Sequence, residues 1–193
     1  MDYIKKFGLD LDIAQVKLSC EYLRDIIMAN SDFNNEGIPM GPATTRVFNQ
    51  YNLLLYPFDE FYNFYMSLCK IFNSIVDDSE DYYAQSWINF YKYNEYLDWH
   101  NHFPPEANSY HGFLCVDAED SVTSYKLPDN DMSQVDVPAK NGQLIISKSA
   151  GDLHRTYPWP HKDRDRLTVA FDIVPKNNIS WGQNHWAPIA KVN

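Results

Sequence analysis

The sequence predicts a mainly β domain that is preceded by helices. Two patterns with helical spacing lie before residue 81, and short runs rich in β-branched and aromatic residues fill the chain after residue 82. With 193 residues, 45% of them hydrophobic, the chain is long enough for one compact domain with a substantial core. Because no flexible linker separates the two regions, we expect a single domain, with residues 1–81 as a mainly helical support and residues 82–193 as the β core.

The first helix is predicted over residues 12–28. Apolar side chains recur there at steps of four and three residues, which is the spacing of one buried helical stripe. They are Val16, Cys20, Leu23 and Ile27. Residues 30–42 collect Asn, Gly and Pro, so a loop is expected to follow the helix.

The second helix is predicted over residues 57–76, where apolar and aromatic residues again recur at helical spacing. Pro57 suits the first turn of a helix, because the N–H that proline lacks would have no partner there. Asp59 and Glu60 follow it at the positive end of the helix dipole, where negative charge is favourable.

Five strands are predicted in the second region, at residues 86–93, 110–116, 121–126, 143–147 and 166–174. Each run is rich in β-branched and aromatic residues, and turn residues separate the runs at close intervals. Short strands of this kind assemble into a barrel or a sandwich. We expect the helices to buttress one face of that assembly.

The composition argues against several classes of protein. Sixteen Lys and Arg against 26 Asp and Glu give a net charge of −10, which disfavours a nucleic-acid-binding surface. The three cysteines are widely spaced, so neither a disulfide framework nor a thiolate zinc site is expected. No stretch approaches the ~20 apolar residues that cross a bilayer, and no signal-peptide run opens the chain. We therefore expect a cytoplasmic protein, monomeric or homodimeric, that does not act at a membrane.

The histidines are the most informative residues of the sequence. Five of the six fall between positions 100 and 161, inside the strand-rich region. His100 and His102 are two residues apart, so on an extended segment both imidazoles project from the same face and can meet one cation. His154 follows in a later segment. We expect His111, on a predicted strand, to be a pocket or core residue.

The order of these residues resembles that of the iron(II)- and 2-oxoglutarate-dependent oxygenases. In that superfamily a His-x-carboxylate pair and a distal His hold iron, and an Arg beyond the distal His binds the far carboxylate of 2-oxoglutarate. Here His100-x-His102 is followed by His154, and Arg166 comes twelve residues later at the start of an apolar run. The alternative for Arg166 is a surface salt bridge within residues 163–166.

Two further elements are similar to parts of this superfamily. Arg166 and Thr168 resemble an Arg-x-Ser/Thr element in which the hydroxyl contacts the same carboxylate. Asn89-Phe90-Tyr91 is similar to an Asn-x-Tyr element of the alkylation-repair branch, whose side chains contact the co-substrate. The whole stretch from Trp87 to His102 looks closest to a bacterial and phage group of oxygenases with a His-x-His motif.

The resemblance implies a fold, a reaction and a site. The fold would be a double-stranded β-helix, the jelly-roll core that cupins also have, buttressed by the helices. The reaction would use Fe(II), 2-oxoglutarate and dioxygen to hydroxylate a small molecule or a peptide side chain, with release of succinate and CO2. The metal ligands would be His100, His102 and His154, and the residues at the co-substrate would be Asn89, Tyr91, Arg166 and Thr168.

Elementary chemistry agrees with these roles. An iron that must also bind a chelating keto acid and dioxygen needs few protein ligands, and neutral imidazoles supply them while leaving positions open. A dicarboxylate needs a cation at its far end, and the planar guanidinium of Arg offers two parallel donors that Lys does not.

The chain departs from the family pattern at position 102, where most members have Asp or Glu. Three arrangements follow, in order of preference. The site is formed by three histidines, or by His100 and His154 alone, or it recruits the carboxylate of Asp98 or Glu106.

A cupin-type metal protein that does not use 2-oxoglutarate is the main alternative function. His100, His102 and Glu106, with Gly112 and His154 further on, also resemble the two metal motifs of cupins. Such a protein would leave Arg166 and the Asn89 and Tyr91 pair without a role. A metal-free binding module on the same fold is a third reading, which the three spaced histidines disfavour.

Overall fold

A computed structural model describes residues 3–30, 42–77, 79–128, 133–149, 153–179 and 185–191. Its helices are α1 (Ile13–Asn30), α2 (Ala43–Arg46) and α3 (Asp59–Ile75). Its strands are β1 (Ile4–Gly8), β2 (Tyr82–Tyr91), β3 (Tyr110–Asp117), β4 (Val122–Lys126), β5 (Gln134–Pro138), β6 (Gln143–Lys148), β7 (His154–Thr156), β8 (Arg166–Pro175) and β9 (Ala187–Pro188).

The strands form two antiparallel sheets. The large sheet has the order β1-β6-β3-β8-β2-β9, and the small sheet has the order β5-β4-β7. Neighbours in both sheets are mostly distant in sequence, as in a jelly roll. The predicted fold class, mainly β with N-terminal helices, is therefore confirmed.

Both long helices cover one face of the large sheet. The predicted stripe of α1 is buried at Val16, Cys20, Leu23 and Ile27. Helix α3 buries five residues, and its Phe64 and Phe72 rings lie 6.2 and 4.9 Å from the rings of Phe171 on β8 and Tyr82 on β2. The helices thus support the sheet from one side, which confirms the expected arrangement.

The other face of the large sheet lines a cavity. Strands alternate their side chains between two faces. On β2, Trp87, Asn89 and Tyr91 line the cavity, while Ile88 and Phe90 between them belong to the hydrophobic core. On β8, the residues at 166, 168, 170 and 172 line it in the same way. This alternation decides which side chains can take part in a site.

All five predicted strands are present, with shifted ends; β2 begins at Tyr82 rather than at residue 86. Strands β1, β5, β7 and β9 were not predicted. They have two to five residues each, which is too short for a periodic pattern to stand out. The N-terminal region is accordingly less purely helical than expected, because β1 pairs with β6 at the edge of the large sheet. Most of the predicted loop at 30–42 lies outside the described residues.

Two expectations from the composition concern disulfides and membrane-spanning segments. Cys20, Cys69 and Cys115 are buried and form no disulfide. None of the described helices combines the length and the apolar character needed to span a bilayer.

Candidate active site

A cavity of about 460 Å³ lies between the two sheets. This volume is within the range of small-molecule sites, about 300–1,000 Å³. Side chains of β2, β3 and β8 line it from the large sheet, and side chains of β4 and β7 line it from the small one. The segment between β2 and β3 adds residues 97 and 100–103. All seven predicted site residues lie in its wall; they are Asn89, Tyr91, His100, His102, His154, Arg166 and Thr168.

The three predicted metal ligands form one cluster. His100 and His154 exchange two backbone hydrogen bonds of 3.0 and 2.9 Å, which hold their imidazole rings 4.3 Å apart. The ring of His102 lies 5.4 Å from that of His100 and 5.5 Å from that of His154. One nitrogen from each ring lies within 4.8 Å of the other two, so a single cation could bind all three.

Hydrogen bonds at Nδ1 fix two of these imidazoles. The Nδ1 atom of His100 lies 2.7 Å from the carbonyl oxygen of Asp98, and that of His102 lies 2.8 Å from Oδ1 of Asp172. Carbonyl and carboxylate oxygens only accept, so the Nδ1 atoms of His100 and His102 are the donors in these two hydrogen bonds. Burial, and next the neighbouring His102, lower the pKa of His100 to about 4, so this imidazole is neutral at pH 7. This is the state that a metal ligand requires.

Asp172 and His111 extend the cluster. His111 is buried in the cavity wall, as expected for a pocket or core residue, whereas the sequence analysis did not single out Asp172. The Nδ1 atom of His111 lies 3.1 Å from the same Asp172 oxygen, and the rings of His111 and His102 are 3.8 Å apart. Burial alone would raise the pKa of Asp172, but its contacts with His102 and His111 outweigh burial and lower the pKa to about 2. Asp172 is therefore a buried carboxylate within the histidine cluster.

The two carboxylates considered from the sequence do not join the cluster. Asp98 is exposed, and its Oδ1 accepts a hydrogen bond from the Trp99 backbone N–H at 2.8 Å. Glu106 is exposed in the short turn Pro105–Ala107. In the described part of the chain, the carboxylate that contacts the clustered histidines is Asp172, which was not among the carboxylates considered from the sequence.

Arg166 is buried in the cavity wall, with 3% of its surface exposed. Its Nε donates to Ser121 Oγ at 2.9 Å, and its guanidinium lies 4.8 Å from the centre of the Tyr91 ring. Within the described ranges it forms no ion pair with a carboxylate. A buried cation without an anion is costly, so an anionic ligand fits this position.

Among the described residues no salt bridge forms within 163–166; Arg164, unlike Arg166, is partly exposed and pairs with two acidic residues outside that stretch. The guanidinium of Arg164 lies 3.2 Å from Asp117 and 2.8 Å from Asp120. These acidic residues flank the turn between β3 and β4, and Ser121 lies at the end of that turn. Arg164 therefore forms ion pairs near the surface, whereas Arg166, two residues later, is buried in the cavity wall.

The Asn-x-Tyr element on β2 and the Arg-x-Thr element on β8 lie opposite each other on paired strands. In the register of β2 and β8, Tyr91 faces Arg166 and Asn89 faces Thr168. Burial raises the pKa of the Tyr91 phenol, and the neighbouring Arg166 cation opposes that rise. The Oδ1 atom of Asn89 accepts a hydrogen bond from Thr45 on α2. Four predicted co-substrate residues therefore form one wall of the cavity.

Comparison with known proteins gives structural neighbours but no sequence relatives. No protein-family model matches the chain, and no curated protein matches it. A prolyl-4-hydroxylase of Pseudomonas putida superposes with a TM-score of 0.61 at 12% identity, over 89% of this chain and 88% of that one. AviO1 of Streptomyces viridochromogenes Tue57 gives 0.63 at 14% identity, over 89% of both chains.

A third neighbour is SnoN, a non-heme α-ketoglutarate-dependent epimerase from nogalamycin biosynthesis. It superposes with a TM-score of 0.54 at 12% identity, over 89% of this chain and 76% of that one. At such identities the likeness establishes the fold and leaves the reaction open. The two-sheet core, the helical support and these neighbours together show that the chain has the double-stranded β-helix fold of the iron(II)- and 2-oxoglutarate-dependent oxygenases.

Proposed function

We propose that the protein is an Fe(II)- and 2-oxoglutarate-dependent dioxygenase that hydroxylates a small molecule or a protein side chain. The observation that carries this proposal is that the buried Arg166 and the three-histidine cluster line the same cavity. A metal site alone would fit many functions. A metal site together with a buried cation that has no carboxylate partner among the described residues fits a chelating dicarboxylate.

The metal would be held by His100, His102 and His154. Their nitrogens are close enough to share one ion, and hydrogen bonds at Nδ1 of His100 and His102 would leave Nε2 of each ring for the metal. Three neutral imidazoles bring no negative charge to a divalent ion. The carboxylate of Asp172, one hydrogen bond behind His102, supplies negative charge nearby, as outer partners of ligating histidines commonly do.

The far carboxylate of 2-oxoglutarate would bind Arg166. Ser121 accepts a hydrogen bond from the guanidinium, the Tyr91 ring packs against it, and Thr168 lies two residues further along the same face of β8. Asn89 lies opposite Thr168 and would add an amide group to the same wall. The guanidinium thus fixes the orientation of the co-substrate relative to the histidines.

When bound at these residues, iron and 2-oxoglutarate would supply the oxidising chemistry, in which oxidative decarboxylation of the keto acid to succinate and CO2 accompanies oxidation of a substrate C–H bond. The residues of this chain bind and orient the reactants and exclude water. Phe48, Phe103 and Phe113 contribute apolar surface to the cavity wall. Such a wall protects reactive species from side reactions with water.

The test is succinate formation from 2-oxoglutarate by the purified protein with Fe(II) under air. Candidate substrates are panels of amino acids, small aromatic molecules, peptides and oligonucleotides. We expect succinate in amounts that depend on both iron and protein, and an increase with a small molecule or a peptide. Protein that has bound iron but forms no succinate from 2-oxoglutarate would contradict the proposal and favour a cupin-type metal protein. Robust oxidation of an oligonucleotide would contradict the substrate class, which the net charge of −10 supports.

A further inference from the structure

The two long helices carry an apolar surface on the side that faces away from the large sheet. Of the eight large hydrophobic side chains that are exposed in the described part of the chain, five lie there. They are Leu18, Tyr22 and Ile26 on α1, Leu55 in the 3-10 turn before α3, and Tyr62 on α3. Single exposed apolar residues are normal, whereas a contiguous group of them marks an interaction site.

These side chains form one surface because α1 and α3 pack side by side in opposite directions. Ser19 Oγ donates to Glu60 Oε2 at 3.2 Å, and the rings of Tyr22 and Phe58 lie 6.1 Å apart. Residue numbers therefore rise along α1 as they fall along α3, so the apolar row of α1 runs beside that of α3 and the turn before it. We call these residues the outer face: Leu18, Tyr22, Ile26, Leu55, Phe58 and Tyr62.

The cations of α1 lie beside the outer face and are already paired with acidic residues. Lys17 Nζ lies 2.6 Å from Oδ2 of Asp117. The Arg24 guanidinium lies 3.0 Å from Asp25 and 3.8 Å from Asp165. A second molecule that packs along this helix would therefore meet balanced charges rather than a row of like charges, although the whole chain has a net charge of −10.

The apolar row on α1 is self-complementary. Leu18 and Ile26, two side chains of the same size, lie four residues before and four residues after Tyr22. If two copies of α1 pack antiparallel about a two-fold axis at Tyr22, Leu18 of each copy meets Ile26 of the other. The two Tyr22 rings then meet on the axis. Such an isologous contact is the commonest arrangement in soluble homo-oligomers.

The outer face is large enough to hold two copies together. Its five most exposed side chains keep between 39% and 63% of their surface exposed. This leaves on the order of 500 Å² of apolar surface per copy, the upper end of what a typical monomer shows in one patch. Two copies would bury on the order of 1,000 Å² from this surface alone, which fits a reversible dimer with a dissociation constant in roughly the micromolar range.

We infer that the outer face is the interface of a symmetric homodimer whose two-fold axis passes at Tyr22. A second copy accounts for two features together, the apolar surface and a row that has the same order from either end. A partner of different sequence would account for the first feature alone. The inference does not depend on the proposed reaction, because the cavity lies on the opposite face of the large sheet.

The test is sedimentation velocity of the full chain, from low micromolar to several hundred micromolar protein. We expect the wild type to sediment as a monomer at the lowest concentration and as a dimer at the highest. Tyr22→Glu should weaken the dimer at least about a hundredfold, because the two-fold axis brings two carboxylates together in an apolar contact. Tyr93→Glu is the matched control and should dimerise as the wild type does, since Tyr93 is 44% exposed and lies outside the outer face.

Disulfide formation tests the position of the axis. All three native cysteines are buried, so a cysteine introduced at the surface is the reactive one. Under mild oxidation, at a concentration where the wild type is dimeric, Tyr22→Cys should form a covalent dimer, because the axis places position 22 next to itself. Tyr93→Cys is the control and should cross-link far more slowly.

Wild-type protein that stays monomeric at every concentration would overturn the inference and leave the outer face to a different partner. A dimer as tight in Tyr22→Glu as in the wild type would place the interface elsewhere. If Tyr22→Glu does not fold, the cysteine variants decide, and equal cross-linking rates of Tyr22→Cys and Tyr93→Cys would refute the axis. The proposed function fails instead if iron-loaded protein forms no succinate, and that result leaves the sedimentation of the wild type unchanged.

Discussion

The Nδ1 atom of His102 lies 2.8 Å from Oδ1 of Asp172, which is 70 residues further along the chain. In the motif that the sequence resembles, the position of His102 is taken by a carboxylate. Here a carboxylate lies one contact further out, at Asp172 on β8, where it also meets His111. Outer partners of this kind set the orientation and basicity of a ligating imidazole.

Replacing Asp172 with Asn should lower the affinity for Fe(II) by about 10- to 100-fold, because the charge that orients His102 is removed while the size is kept. The affinity is measured by anaerobic titration with Fe(II). Glu106→Gln is the matched control, since Glu106 is exposed and contacts none of the described histidines of the cluster. Wild-type affinity in Asp172→Asn would contradict this role. Complete loss of binding would instead indicate that Asp172 binds the metal directly.

His154→Ala should abolish the stabilisation of the protein by a divalent metal. A ligand at a hundred times its Kd raises the free energy of unfolding by about 2.7 kcal/mol, so saturating Mn(II) should raise the wild-type Tm by several degrees. Thermal unfolding with and without Mn(II) measures the effect. In His161→Ala the shift should persist, because His161 lies 3.3 Å from Asp120 rather than in the cluster. If Mn(II) raised the Tm of His154→Ala as much as that of the wild type, His154 would not be a metal ligand.

Gly112→Ala should destabilise the fold. Gly112 lies on β3 between β6 and β8, and a Cβ atom there would be 2.2 Å from the Ile145 carbonyl oxygen and 2.4 Å from Cζ of Phe171. Overpacking of this kind costs about 1–3 kcal/mol. Urea unfolding measures the change in the free energy of unfolding. Gly8→Ala is the control, because a Cβ at Gly8 meets nothing within 4 Å, and equal stabilities of the two variants would refute the close approach.

Part of this site could be predicted from the sequence because its residues follow one another in a recognisable order. His100, His102, His154 and Arg166 are separated by spacings that can be read along the chain. The two longest predicted strands also placed Asn89 and Arg166 on extended segments. The structure adds that these segments pair, which brings Tyr91 opposite Arg166.

Asp172 and His111 could not be identified in this way, because their contact depends on the register between β3 and β8. The two are direct cross-strand partners, and neither belongs to a local motif. The alternation along β8 offered one signal, since Asp172 lies an even number of residues after Arg166 and so shares its face. The short strands β1 and β7 also escaped prediction, because pairing with distant strands rather than local pattern stabilises them.

Arg164 provides the control for the co-substrate site. Its ion pairs with Asp117 and Asp120 are partly exposed, so Arg164→Ala should cost at most about 1 kcal/mol of stability. The affinity for 2-oxoglutarate should stay close to that of the wild type. A large fall in that affinity would show that the turn carrying Ser121, rather than Arg166 itself, controls co-substrate binding.

The most direct test of the central claim is an anaerobic titration of the Fe(II)-loaded protein with 2-oxoglutarate, followed by the metal-to-ligand absorption band. Arg166→Ala removes the buried guanidinium and leaves the far carboxylate of 2-oxoglutarate without its cation. The loss of such a partner typically costs about 2–5 kcal/mol of binding free energy. At about 1.4 kcal/mol per factor of ten, the account predicts that the affinity for 2-oxoglutarate falls by at least about thirtyfold, while iron binding survives. Equal affinity in the wild type and Arg166→Ala, or no absorption band in the wild type, would contradict the account.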